Sequence, residues 1–252
     1  MIKTENREKI MPMFSGFEDS VLISCAEGRV GKIYCDDPNF PAAAVICAGD
    51  FYFTAGNAGY AAEAFALAED NSEAVFMPLN DEWTDALLGL GRGLVKTTRF
   101  RTDMPEKPDM ERLAGLADLS AFPEYKLEMI NEEYYHQALE EVWSRAFVYN
   151  FLDYNDFSRN GFGCCITHEG RLICGASCYS SYSGGVEVEI ATHPDHRRKG
   201  LATIAGAAFI AECARRGLKA HWDAANMMSL KIAEKFGYIL KEEYTALCFE
   251  EG

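Results

Sequence analysis

Residues 186–202, VEVEIATHPDHRRKGLA, constrain this chain more than any other stretch. Val186, Val188 and Ile190 alternate with Glu187, Glu189 and Ala191, the two-residue period of a strand with unlike faces. Pro194 ends that strand, because proline donates no backbone hydrogen bond and biases His193 toward an extended conformation. A basic turn, Arg197-Arg198-Lys199-Gly200, then opens LATIAGAAFIAECARRG, a run of strong helix formers that stops at Gly217. Strand, basic turn and helix in that order make an anion-binding device. The unpaired N–H groups and the positive dipole end of the helix face the turn and attract a phosphate. Gly200 lets the backbone approach a ligand closely, and Ala202 is too small to obstruct it.

The residues beyond Gly217 narrow the reading. A short strand over 219–223 leads to Ala224-Ala225-Asn226, and a helix closes on Glu234-Lys235-Phe236-Gly237-Tyr238. Arg197-x-x-Gly200-x-Ala202, then helix, strand and Asn226-x-x-Ser229…Lys235-x-Gly237-Tyr238, resembles the acetyl-CoA-binding half of the GNAT superfamily of N-acetyltransferases. The resemblance in order, spacing and residue type covers residues 125–249. With Gly49-Asp50-Phe51, Asp81-Glu82-Trp83 and His221-Trp222-Asp223-Ala224-Ala225-Asn226, the whole chain resembles the branch that contains the zwittermicin-resistance-type acetyltransferases.

At 252 residues there is room for one large or two modest domains. The expected fold class is α/β: a mixed (α+β) sheet with helices on both faces. A GNAT-like acetyl-CoA-binding domain over 122–252 would follow a smaller α/β domain over 1–121. In that first domain, 19–27 reads as a helix with a strand as the alternative, and 43–54 as one strand that Gly49-Asp50 turns or bulges. Asn80 is a good N-cap for a helix carrying Trp83, Leu87, Leu90 and Leu94. Gly89, Gly91 and Gly93 imitate a dinucleotide fingerprint but sit at a helix end rather than between strand and helix, so they read as helix-stop glycines. Residues 104–122 hold two of the eight prolines, with Pro123 directly after them, and a short helix over 109–119, and are the expected linker. Beyond it, strands over 161–167 and 171–182 form a hairpin around His168-Glu169-Gly170, and 244–249 is a last strand.

The chain carries a formal charge of −15, which argues against nucleic acid as a partner, because phosphate binding needs a positive field. That charge mildly favours cationic small molecules, although acidic surfaces also serve solubility alone. No apolar run is long enough to cross a bilayer and the N-terminus is polar, so the expectation is a cytoplasmic protein with no membrane partner. The nine cysteines are scattered, often within apolar runs, as in a reducing compartment. Adjacent Cys164 and Cys165 would face opposite sides of a sheet. No pair of CxxC units suggests a metal, so none is expected.

The resemblance implies an acyltransferase that moves an acetyl group from acetyl-CoA directly to an amine of a small molecule. Arg197, Arg198, Lys199, Gly200, Leu201 and Ala202 would hold the pyrophosphate. The backbone of Ile190, Ala191 and Thr192 would flank the pantetheine arm, in a slot between 186–192 and 219–223, where family members bulge the first of these strands. Asn226 matches a residue that bonds that arm, and it is equally an N-cap for the helix after it; Ser229 could serve either. An alkylamine with a pKa of roughly 10 must lose a proton before it attacks. Glu189 and Glu187 share a strand face, where the family often places its base, and two close carboxylates raise one another's pKa. The chain departs from the family at Ala233, where many members carry a tyrosine that protonates the departing thiolate; Tyr238, Tyr244, Ser229 or water are the substitutes. The first domain would wall the acceptor pocket or make a subunit contact in a homodimer. A non-catalytic acetyl-CoA-binding sensor on the same fold is the alternative.

Overall fold

The structure, a computed structural model, describes residues 1–250. The chain divides into two compact units, Met1–Arg99 with Glu243–Gly252, and Phe100–Glu242. In the first unit run β1 (Ile2–Thr4), α1 (Arg7–Ile10), α2 (Ser20–Ala26), β2 (Lys32–Cys35), β3 (Ala43–Ala48), β4 (Phe51–Gly56), α3 (Ala61–Ala66), β5 (Val75–Pro78), α4 (Asp81–Gly89) and the start of β6 (Leu94–Asp103). Residues 19–27 are helical because the Asp19 carboxylate accepts the Val21 N–H at 2.8 Å and so starts α2. The single strand expected over 43–54 is instead a hairpin. Gly49, at φ 57°, supplies the positive φ that a tight turn needs, and β3 and β4 pair from Ala43↔Gly56 to Ala48↔Phe51. Asn80 caps α4 through the Trp83 N–H at 3.1 Å, and Gly91 and Gly93 come after the helix with positive φ, as stop signals do. Trp83 is fully buried and its Nε1 donates to the Gly56 carbonyl at 2.9 Å.

The second unit continues with α5 (Met110–Leu116), β7 (Tyr125–Met129), α6 (Glu132–Glu140), α7 (Tyr154–Asn160), β8 (Gly163–His168), β9 (Arg171–Tyr182), β10 (Gly185–Thr192), α8 (Leu201–Arg215), β11 (Lys219–His221), β12 (Asp223–Ala224) and α9 (Met227–Lys235). A final strand, β13 (Ile239–Phe249), returns the chain to the first unit, where Leu247 pairs with Phe76 of β5. β13 therefore begins earlier than the 244–249 expected. The central sheet of the second unit has the order β11-β10-β9-β8-β7. Its neighbours are antiparallel except β10 and β11, which are parallel and joined through α8.

Each face of that sheet has its own core. Ile166, Ala176, Cys178 and Val186 pack with Leu201, Phe209 and Ile210 of α8 on one side. Cys165 and Leu172 pack with Tyr134, Tyr135, Phe147 and Phe157 on the other. Cys164 belongs to the first core and Cys165 to the second, as strand alternation requires. The second unit starts at Phe100 rather than at 122. Residues 104–122 are not a linker: Leu113 of α5 is buried in the α8-side core, with Leu116, Leu119 and Phe122 packed against it. No helix among the described residues is long and apolar enough to cross a membrane.

Candidate functional site

β10 leaves its sheet at Thr192, and Pro194–His196 form one turn of 3-10 helix. The chain then turns left-handed at Arg198 (φ 64°) and again at Gly200 (φ 83°), where α8 begins. A left-handed non-glycine residue costs roughly 1 kcal/mol, so the Arg198 conformation is held by the elements on either side of it. No side chain caps α8. A 15-residue helix thus presents its first N–H groups and its dipole to an exposed turn carrying three positive charges. Two of those side chains are braced on the scaffold. Arg197 Nε donates to the Thr192 carbonyl at 3.1 Å, and Lys199 Nζ donates to the Tyr125 hydroxyl at 2.9 Å while lying 5.6 Å from its ring centre.

Beside this turn the sheet opens. β10 and β11 pair only at Gly185↔Lys219, Val186↔Ala220 and Glu187↔His221. Beyond His221 the chain departs: Asp223 and Ala224 pair with Arg101 and Phe100 of β6. Val188, Glu189, Ile190, Ala191 and Thr192 therefore have β9 on one edge and no paired strand on the other; the opening begins only beyond Glu187↔His221 and does not run along the whole of 186–192 and 219–223 as expected. The irregularity lies on the other edge and in the other strand. The pairing of β9 with β10 shifts between Glu187 and Val188, and the extra residue is Tyr179 of β9. Val188 and Ile190 pack toward α8, whereas Ala191 packs toward the opposite core.

Glu187 and Glu189 share the face of Ala191, yet their settings differ. Glu187 is buried, and its Oε1 accepts the Asp223 N–H at 2.9 Å. Its register partner Ser180 keeps a buried hydroxyl with no hydrogen-bond partner among the described residues. Glu189 is half-exposed and stands opposite Ser177, whose hydroxyl donates to the Phe147 carbonyl at 2.7 Å. Asn226 caps α9, its Oδ1 accepting from Met228 and Ser229 N–H at 3.0 Å each. The cap engages only the amide oxygen, so its NH2 is left for other work. Ser229 Oγ accepts from Trp222 Nε1 at 3.1 Å, which ties it to the core. Ala233 is fully buried. Tyr238, considered as a proton donor, is also buried, and its hydroxyl donates to the Ala220 carbonyl. Burial pushes that phenol above its ordinary pKa.

Pattern along the chain does not show a group of rings at the end of β10. Tyr125, His168, His193 and His196 lie with successive ring centres 5.2–5.8 Å apart. His196 Nδ1 is 3.1 Å from the Tyr125 hydroxyl, which also receives Lys199. Burial, then Lys199 and the other two histidines, hold His196 below the usual histidine pKa. The three histidines border a cavity of about 450 Å3 that also meets Trp143, Glu141 and Arg171. His193 and His196 are neighbours in one turn, but Tyr125 and His168 come from separate stretches of chain, and the strand order brings them to that turn. Among the described residues, no group of three His, Cys, Asp or Glu side chains is placed to hold a metal ion, these histidines included. The buried thiols are no nucleophiles either: burial raises Cys164, Cys174 and Cys178 each to about 12.

The arrangement suits an extended ligand with an anionic end on α8 and a chain along the open edge of β10. Comparison with known proteins gives the family. The GNAT acetyltransferase family profile matches residues 11–247. The uncharacterized N-acetyltransferase YdfB of Bacillus subtilis (strain 168) is 26% identical, over 85% of this chain and 84% of its own. A GCN5-related N-acetyltransferase-like protein from Streptococcus suis 89/1591 has a crystal structure that superposes with a TM-score of 0.91 at 34% identity, covering 98% of this chain and 99% of that one. A GCN5-related N-acetyltransferase from Kribbella flavida, 16% identical with a TM-score of 0.52 over 84% of this chain and 88% of its own, shares the fold. With its profile matched over nearly the whole sequence and its strand–turn–helix device in place, the chain belongs to the GNAT acetyltransferase family.

Proposed function

We propose that the chain transfers an acetyl group from acetyl-CoA directly to an amine of a small molecule. The observation that carries this reading is the parting of β10 from β11 beside an uncapped, basic helix start. The residues fit the coenzyme. The N–H groups of Gly200, Leu201 and Ala202, with Arg198, would take the pyrophosphate, and Arg197 and Lys199 would fix the turn. The free edge formed by Ile190, Ala191 and Thr192 would take the amide-bearing arm as a strand takes a neighbour. The Asn226 NH2 adds a donor near the start of α9. The coenzyme would supply the acetyl group as a thioester.

Glu189 is the base in this reading, because it is the less buried of the two carboxylate residues on that strand face, whereas Glu187 is buried with its Oε1 on the Asp223 amide. It would accept a proton from the acceptor's ammonium and leave a nucleophilic amine. With Ala233 in place of a tyrosine and Tyr238 engaged in the core, the departing thiol takes its proton from water. A thiol with a pKa near ~8.5 is an adequate leaving group without a dedicated acid. The acidic surface favours a cationic acceptor. By likeness to the zwittermicin-resistance branch, that acceptor is an aminated antibiotic and the reaction one of self-protection.

The test is thiol release on a panel of primary amines, run beside calorimetry with CoA. Acceptor-dependent turnover is expected, and Glu189→Gln should lower kcat by ~100-fold or more while leaving CoA affinity within about twofold. The buried Ala233 favours a second reading, a non-catalytic acetyl-CoA sensor. Coenzyme heat with no turnover on any amine would select it. Absence of coenzyme heat would defeat both.

A further inference from the structure

We propose that Glu187 is a positioning residue whose carboxylate sets the width of the β10–β11 slot by acting as the last acceptor of their ladder. The inference rests on the coenzyme reading only for what the slot holds. The ladder itself is seen: three parallel register pairs, ending at Glu187↔His221. One step later β11 has ended, and the Asp223 N–H is met by a β10 side chain. A buried amide needs an acceptor wherever its strand goes. Glu187 provides it from its side chain, Oε1 to Asp223 N at 2.9 Å. A carboxylate on its stem reaches several ångströms farther than the backbone carbonyl it replaces. The two strands are therefore kept apart and yet tied.

Both edges of β10 cooperate at this point. On the β9 edge the pairing slips at the same residue, with Tyr179 as the extra residue, and such a bulge bends and twists the strands. At the last rung itself, the Tyr182 hydroxyl lies 2.8 Å from His221 Nε2. Glu187 is thus the hinge pin between a zipped end and an open end. Such a role needs an acceptor oxygen and not a negative charge, which separates it from a base.

The experiment uses the full chain with Glu187→Gln and Glu187→Ala, and reads three things: hydrogen exchange at the Asp223 amide, CoA binding by calorimetry, and kcat against pH. Glu187→Ala should speed Asp223 exchange by roughly tenfold or more and weaken CoA by a comparable factor. Glu187→Gln keeps an acceptor oxygen and should restore both to within about threefold, with the pH profile keeping its shape. The proposal is overturned if Asp223 exchange is unmoved in Glu187→Ala. It is equally overturned if Glu187→Gln binds CoA normally but loses turnover and the limb of the pH profile assigned to the base. Should Glu187→Ala fail to fold, unprotected Asp223 in a folded Glu187→Gln protein overturns it too. Asp223 exchange reports on the tie even if wild-type protein gives no heat with CoA, so failure of the coenzyme reading would be told apart from failure of this one.

Discussion

His221 sits at the last rung of the β10–β11 ladder, where its Nε2 meets the Tyr182 hydroxyl. Burial first, and then Lys219, lower its pKa below the ordinary histidine value. Proton counting gives the sign of the effect on stability. Between the depressed folded pKa and an unfolded value near ~6.5 the unfolded chain binds more protons, so stability rises with pH across that interval. Nothing is lost above about pH 6.5, and stability falls as pH drops below it. Thermal melts from about pH 8 to 5 should show that fall, and His221→Gln should show a shallower one. An equal slope in both proteins would mean that His221 titrates freely. The same residue-scale logic separates the two tyrosine questions. A tyrosine at 233 would project from within α9, whereas Tyr238 lies past the helix with its proton donated to a carbonyl.

Among the elements, α8 shows how the site is held rigid. Gly206 lies within it, where glycine costs a helix about 1 kcal/mol relative to alanine. The glycine is there for space. A Cβ at that position would stand 2.9 Å from Phe236 Cζ, 3.0 Å from its Cε2 and 3.2 Å from Ile190 Cδ1. Phe236 is buried at the end of α9, and Ile190 belongs to the strand whose far edge lines the slot. Overpacking of this kind costs roughly 1–3 kcal/mol and outweighs the helix gain. Gly206→Ala should therefore lower stability by about 1 kcal/mol net, read as a lower urea midpoint; a raised midpoint would show that Phe236 swings aside. Much at this scale is legible in the sequence. The strand–turn–helix over 186–217 and the caps Asn80 and Asn226 are local signals, carried by neighbours in sequence. The β3–β4 hairpin reads as one strand because its apolar residues run almost unbroken on both sides of Gly49-Asp50. Tyr179 as the extra residue, the tie from Glu187 to Asp223 and the His168–His193–His196 group depend on which strands become neighbours. Periodicity along one strand carries no such information.

At the scale of the whole molecule, the chain passes from the first unit to the second within β6 and returns within β13. Both crossings fall inside strands, without the glycine- and proline-rich linker that usually separates domains. The proline-rich composition of 104–122 misplaces the boundary for that reason: a strand that runs on through a boundary has the same apolar pattern on either side of it. The second unit is therefore an insertion, and the end of the chain completes the core of the beginning. Leu247 is fully buried in the first unit, paired with Phe76 and clustered with Phe65, Trp83 and Leu87. Deleting such a side chain to its Cβ costs ~2–5 kcal/mol, according to how far the cavity collapses. Because those contacts lie in the first unit, Leu247→Ala should loosen that unit selectively. Hydrogen exchange should accelerate in β3, β4 and β5, far earlier in sequence, while β8 and β9 of the second unit keep their protection. Uniform acceleration would instead mean that the two units open as one, and that the insertion has no stability of its own.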